Sequence, residues 1–244
     1  MGRVKRNRGL AEAAARQAAE AAPPACALCD RPLGTRIEWH HVVPRSEGGT
    51  QTAPLGICRA SAAKLLADAD GPRVAVLEQQ SDGAPAPTAD GQVTSAFDRT
   101  LVVLVADCTP VLIYDREQPL VAAVHAGRPG MLAAVVPETV RTMRELGSGR
   151  LGAVVGPSVC SRCYEVPAQM RDDAAARVPA SYAVSWTGTP AIDVAAGVVS
   201  QLRADDVELD WIPGCTREEG RLYSHRRDPG AGRFAGVVTL RRRA

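Results

Sequence analysis

The 244-residue chain lacks an apolar run long enough to cross a bilayer, so no transmembrane helix is expected. Its basic start, MGRVKRNRG, has no apolar stretch behind it, so no export signal is expected either. It lacks a dominant sign of charge: the formal net charge is +2. The basic runs at both ends, MGRVKRNRG and RRRA, therefore read as solvated rather than as a nucleic-acid footprint. No internal repeat is visible, which excludes a solenoid. What is present is an odd number of cysteines, seven, with two C-x-x-C spacings. Without an export signal this favours reduced thiols or metal over disulfides, and a cytoplasmic protein.

With 45% hydrophobic residues the chain can bury a real core, in one large domain or two small ones. Residues 1–24 read as a basic, alanine-rich helix ended by Pro23-Pro24. Residues 25–68 change character, with cysteines, a Trp-His-His and a Gly-Gly turn. From residue 69 onward, PRVAVLEQ, TLVVLVAD, VLIYD, LVAAVH and LGAVVG are β-branched runs of strand length. SDGAPAPTADG is a loop by its Gly and Pro content. Residues 129–146 predict a helix that Pro137 should kink or split. IDVAAGVVSQLRA predicts a second helix, and DWIPG and RFAGVVTLR late strands. Alternating strands and helices argue a mixed α/β (α+β) domain over 69–244, with the segment before it as a separate appendage.

Two clusters carry chemistry. The first is CALCDRPLGTRIEWHHVVPRSEGGTQTAPLGIC, with Cys26, Cys29, His40, His41 and Cys58. It resembles an HNH endonuclease module. The resemblance implies structural zinc at Cys26, Cys29 and Cys58, a divalent metal at His40, and His41 as general base. The pattern is degenerate. Ser61 stands where a fourth zinc ligand is needed, SAAKLLAD offers no second metal histidine, and GGTQTAPLG has no asparagine. A residual zinc-binding or structural hairpin is the expected outcome.

The second cluster pairs two strand ends. Asp107-Cys108 follows an apolar run and precedes Pro110, which cannot donate to a ladder; His125 ends another run, ahead of Gly-Arg-Pro-Gly. If the strands are neighbours, a thiolate and an imidazole meet, a partial zinc set with room left for water or substrate. Spacing alone favours the plainer reading, a buried free cysteine and a core histidine. A longer pattern shifts the balance. TADGQVT, VVLVADCTPVLIYD, LVAAVHAGRPG, VVGPSVCSRCYEVP, GTPAIDVAAGV and CTREEGRLYSHRRDPGAGRFAG occur in order from about Asp70 to the C-terminus. Together they resemble the YfiH-type family, formerly called polyphenol oxidoreductase or multicopper laccase. That family is associated with purine nucleoside phosphorylase activity, adenosine deamination and, in some bacteria, peptidoglycan editing.

The resemblance implies packed mixed β-sheets flanked by helices, preceded here by the small ββα-like appendage that the HNH resemblance implies, and zinc held by two histidines and a cysteine. Cys108 and His125 carry over, while Asp70 takes the place of the other histidine. A carboxylate there would weaken the site, since two anionic ligands make the cation a poorer Lewis acid. Copper is disfavoured because the ligand set is too small for a multicopper cluster. The resemblance also places Arg226, Arg227, Asp228 and Arg233 of SHRRDPGAGR at the pocket, with Arg227 catalytic, and offers Arg128 as a phosphate grip. Cys160 and Cys163 form a C-x-x-C with no second pair evident at metal spacing, and read as a local turn. The expected partners are a purine nucleoside and phosphate, not nucleic acid or a membrane, and the expected state is a monomer. Two alternatives stay open: an HNH-type nuclease or DNA-binding module, and a non-catalytic remnant or wall-editing factor.

Overall fold

The computed structural model describes residues 73–77 and 89–241, together with the backbone of two further strands at 35–42 and 62–64. Among these residues the fold is mixed α/β, as expected: two packed mixed sheets, with helices on one of them.

The larger sheet has six strands in the order β11-β8-β6-β7-β4-β3: Glu208–Trp211, Leu151–Val155, Thr109–Asp115, Val121–Ala126, Gly91–Thr94 and Val74–Val76. Its centre is β6, whose seven residues are all buried. A strand covered on both faces needs continuous apolar sequence rather than alternation, and TPVLIYD supplies it. The second sheet has the order β1-β12-β5-β2, from Thr35–Val42, Arg233–Leu240, Thr100–Val105 and Ala62–Lys64. In β5 burial alternates, with Leu101, Val103 and Val105 inward. These pack with Phe234, Val238 and Leu240 of β12 against Leu112, Tyr114, Val121 and Ala123 of the large sheet. Each such side chain contributes roughly 1.5–3 kcal/mol on burial. A small hairpin pairs β9, Tyr182–Val184, with β10, Pro190–Ile192.

The opposite face of the large sheet carries α1 (Arg128–Leu132), α2 (Val135–Glu145) and α4 (Val194–Ala204), with α3 (Ala168–Arg177) beyond them. The helix expected over 129–146 is indeed two. The break lies at Ala133–Ala134, where Ala134 takes φ 60°, and not at the proline. Pro137 falls in the first turn of α2, where no backbone N–H is needed. Asp193 caps α4 by accepting from the Ala196 amide at 2.8 Å, and Val194, Ala195, Val198, Val199 and Leu202 make its buried stripe.

The strand Thr35–Val42, inside the segment expected to stand apart as an appendage, pairs antiparallel with β12 along its whole length. His40 and His41 sit at register positions opposite Ala235 and Phe234. Cys26, Cys29, Cys58 and Asp70 lie outside the described residues.

Candidate active site

Strand register brings the second cluster together, with Cys108 just before β6 and His125 in β7. In the β6–β7 ladder Pro110 is paired with His125. Cys108 stands two residues before Pro110, hence on the same face, so Cys108 and His125 are diagonal neighbours. They meet over Gly127. A Cβ added there would lie 3.1 Å from the Cys108 Sγ, close enough to crowd the sulfur, and 3.7 Å from the His125 ring, in ordinary contact. The imidazole is paired with Asp90 and lies close enough to Cys108 for the two to interact. The His125 side chain is 17% exposed, which leaves the corner accessible at its rim.

Asp90 went unnoticed in the sequence. It precedes β4, whose Gly91 pairs with Val124, and so falls beside His125 on the next strand. The His125 amide donates to the Asp90 carbonyl at 2.8 Å. The Asp90 Oδ1 lies 3.4 Å from His125 Nδ1, and the residue is 5% exposed. Burial works against the imidazolium, but the hydrogen bonds to Asp90 and Cys108 outweigh it and raise the His125 pKa to about 9. A thiol, an imidazole and a buried carboxylate behind the imidazole suit a cation such as zinc: the carboxylate orients the ring, and metal binding displaces the ring proton.

Asp107, next to Cys108, holds the neighbouring loops. Its backbone is in the left-handed region at φ 87°, a conformation an aspartate tolerates better than most residues. Its Oδ1 accepts from the Thr216 hydroxyl at 2.6 Å, and its Oδ2 from the Arg226 amide at 2.7 Å. Its carbonyl accepts from the Val159 amide at 3.0 Å. Segments around residues 159, 216 and 226 are thereby tied to the base of the cysteine strand.

The arginines differ in what they do. The Arg226 guanidinium lies 4.3 Å from the centroid of the Tyr164 ring. Arg227 donates to the carbonyls of Thr216, Arg217, Glu219 and Leu222, so its own loop takes its donors. Asp228 accepts from the Gly230 amide, and Arg233 donates to the Ala231 and Gly232 carbonyls, both within one turn. Arg128, half-buried, opens α1 three residues after His125.

The Cys160–Cys163 pair is not an isolated turn. Cys215 and Glu218 face it, and the four ligand atoms lie within 4.8 Å of one another, a set that could hold a metal ion. The signal was in the sequence only as C-x-x-E, 55 residues away, which no search for paired C-x-x-C would find. Burial pushes both the Cys160 and the Cys163 thiols up, assisted by Cys215 at the first and by Glu218 at the second. No helix among the described residues is long and apolar enough to cross a membrane.

The chain is similar to known proteins over most of its length. A family model described as multi-copper polyphenol oxidoreductase laccase matches residues 53–241. A purine nucleoside phosphorylase of Streptomyces coelicolor is 49% identical over 173 residues, 70% of this chain and 72% of the relative. One from Mycobacterium bovis is 43% identical over 173 residues, 70% of this chain and 69% of the relative. Among solved structures, the hypothetical protein YfiH of Bacillus licheniformis superposes with a TM-score of 0.63 at 25% identity, over 73% of this chain and 74% of that one. A Neisseria meningitidis protein does so with a TM-score of 0.63 at 27% identity, over 74% and 75%.

Proposed function

Because the chain belongs to the multi-copper polyphenol oxidoreductase laccase family, the YfiH-type proteins, we propose that it is a cytoplasmic, zinc-dependent purine nucleoside phosphorylase. The observation that carries this reading is the meeting of Cys108 and His125 over Gly127, with Asp90 behind the imidazole. Relatives named purine nucleoside phosphorylase support the substrate class, a purine nucleoside such as adenosine, inosine or methylthioadenosine, with phosphate.

Cys108 and His125 would hold the zinc, with Asp70, which stands where the family pattern has a histidine, as a further ligand that weakens the site. Bound there, zinc would orient the nucleophile as a Lewis acid or, for deamination of adenosine, activate water. In phosphorolysis a phosphate oxygen forms a bond to C1′ of the ribose. The glycosidic C–N bond breaks, its electron pair leaves with the base, and the base takes up a proton. The chain's own residues position these partners. Asp90 fixes the imidazole from behind, so His125 presents its ring in one orientation. Arg226, held over Tyr164, and Arg128 supply fixed positive charge for phosphate, where such charge stabilises the transition state. Arg227 acts as a positioning residue, because its donors hold the loop on which Arg226 sits. Asp228 and Arg233 shape the turn that follows.

The test is phosphate-dependent release of adenine from adenosine by the zinc-supplied protein. Turnover that needs both phosphate and His125 is the expected result. Absence of phosphate-dependent release from adenosine, inosine and methylthioadenosine would overturn the reading.

A further inference from the structure

The C-terminal ends of β8 and β11, parallel neighbours, and the N-terminal end of β6 lie at one edge of the large sheet. The loops leaving β8 and β11 there each make the same turn. In the first, the amides of Cys163 and Tyr164 donate to the Cys160 carbonyl at 3.0 and 3.1 Å. In the second, the amides of Glu218 and Glu219 donate to the Cys215 carbonyl at 3.2 and 2.9 Å. Each turn therefore offers two metal-ligating side chains at i and i+3: Cys160 with Cys163, and Cys215 with Glu218. The turns are docked by a parallel bridge between Ser158 and Cys215. The Arg217 guanidinium adds a bond to the Cys163 carbonyl at 3.2 Å.

We propose that these two knuckles form a structural, tetrahedral zinc site, ligated by Cys160, Cys163, Cys215 and Glu218, separate from the Cys108–His125 corner. Around one zinc, two sulfurs stand about 3.8 Å apart, and a sulfur and an oxygen about 3.5 Å. The Glu218 Oε1 is 3.1 Å from the Cys163 Sγ and 4.0 Å from the Cys160 Sγ. That spread brackets what a shared cation requires, and all four ligand atoms lie within 4.8 Å. The surroundings are those of a built site. The Cys160 amide points at the Cys215 Sγ at 3.4 Å, a backbone donor that stabilises a thiolate. Trp186 Nε1 donates to Glu218 Oε1 at 3.1 Å and orients the carboxylate, and Arg162 stacks on the Trp186 ring at 4.0 Å. Three thiolates select a soft or borderline cation over magnesium or calcium. Four protein ligands leave no open position, so the site is structural rather than catalytic. Its role is to fasten the loop after β11, which carries Arg226, to the loop after β8, which carries Tyr164 beneath it.

This inference does not depend on phosphorolysis. The test is cobalt(II) titration of the full-length protein, purified under reductant, with Cys26, Cys29, Cys58 and Cys108 replaced by serine so that the other candidate sulfurs are gone. The expected result is one equivalent of cobalt, with thiolate-to-cobalt charge-transfer absorption and the visible bands of a tetrahedral ion. Cys215→Ser should abolish both, and Glu218→Gln, at an exposed position that leaves the fold alone, should weaken binding about tenfold or more. Absence of the charge-transfer band, unchanged affinity in Glu218→Gln, or a disulfide among Cys160, Cys163 and Cys215 in protein alkylated without reductant would overturn it.

Discussion

The two sulfur-bearing corners at this edge of the sheet are built in opposite ways. His125 lies in β7, and Cys108 and Asp90 immediately precede β6 and β4 on either side of it, so the register of those strands places all three. Their geometry exists before any cation arrives. Cys160, Cys163, Cys215 and Glu218 come from two loops beyond the ends of the paired strands β8 and β11, outside any ladder and joined by one bridge, by the bonds of Asp107 to both and by a few further bonds. A corner set by a sheet can leave a coordination position free for chemistry. A corner made of loops gains most from a cation that closes it. The same element, sulfur, thus serves reactivity in one place and fastening in the other.

The sharpest way to break this contrast is to remove one ligand from each corner. Cys108→Ser or His125→Ala should lower kcat/KM for phosphorolysis at least ~100-fold, about 2.7 kcal/mol of transition-state stabilisation, with little change in the midpoint of urea unfolding. Cys163→Ser should do the reverse: a clear loss of stability, and a raised KM for phosphate with kcat less affected. Steady-state kinetics and urea titrations on the same preparations check both. If Cys108→Ser and Cys163→Ser behave alike, the division fails.

Asp90→Asn tests whether the carboxylate behind His125 matters as an orienting group. Zinc affinity should fall roughly 10–100-fold, measured by competition with a chelator, while the fold stays intact. Asp107→Ala should come next in size. It removes the acceptor for Thr216 and for the Arg226 amide, at roughly 1.5–3 kcal/mol for a hydrogen bond to a charged group. Urea unfolding should show the loss, and phosphate KM should rise with it. The same protein with Thr216→Val should reproduce part of the effect.

The opposite end of β6 provides the control. Asp115 accepts from the Glu117, Gln118 and Gly149 amides and from the Ser148 hydroxyl. Burial pushes its pKa up, but these four donors together win and hold it below the usual carboxylate range. A carboxyl lowered on folding contributes stability that is present above its unfolded pKa of about 3.9 and lost as pH falls through the lower folded value. Stability should therefore decline between about pH 4 and the lower folded pKa. Asp115→Asn should flatten that decline and cost about 1–3 kcal/mol at neutral pH, with phosphorolysis unchanged. Urea titrations across that range measure it.

How much of this was legible in the sequence follows from what each feature needs. The strand ending at His125 was readable because a nearly fully buried strand is a continuous apolar run, and Gly-Arg-Pro-Gly marks its break. Cys108, expected at the end of a strand, instead stands just before β6, and Pro110, expected to break the ladder, is paired with His125 inside it. The division of the 129–146 helix was readable too, although its place was not. A left-handed Ala134 makes the break, and nothing in its residue type announces that. Helix α3 was missed because AQMRDDAAAR buries only Ala174 and carries no apolar stripe. Asp90 was missed because its meaning depends on β4 pairing with β7, a contact across 35 residues. The cluster at Cys160 was missed because its second half ends in a glutamate. Arginine roles were the least legible: Arg226 and Arg227 are adjacent, yet one lies over an aromatic ring and the other grips its own loop.

The most direct test of the central claim, that Cys108 and His125 grip one cation, is an anomalous difference map at the zinc edge from crystals of the reduced protein grown with zinc. The account predicts a peak about 2.3 Å from the Cys108 Sγ and about 2.1 Å from a His125 ring nitrogen. A map with no density between those two side chains would contradict it.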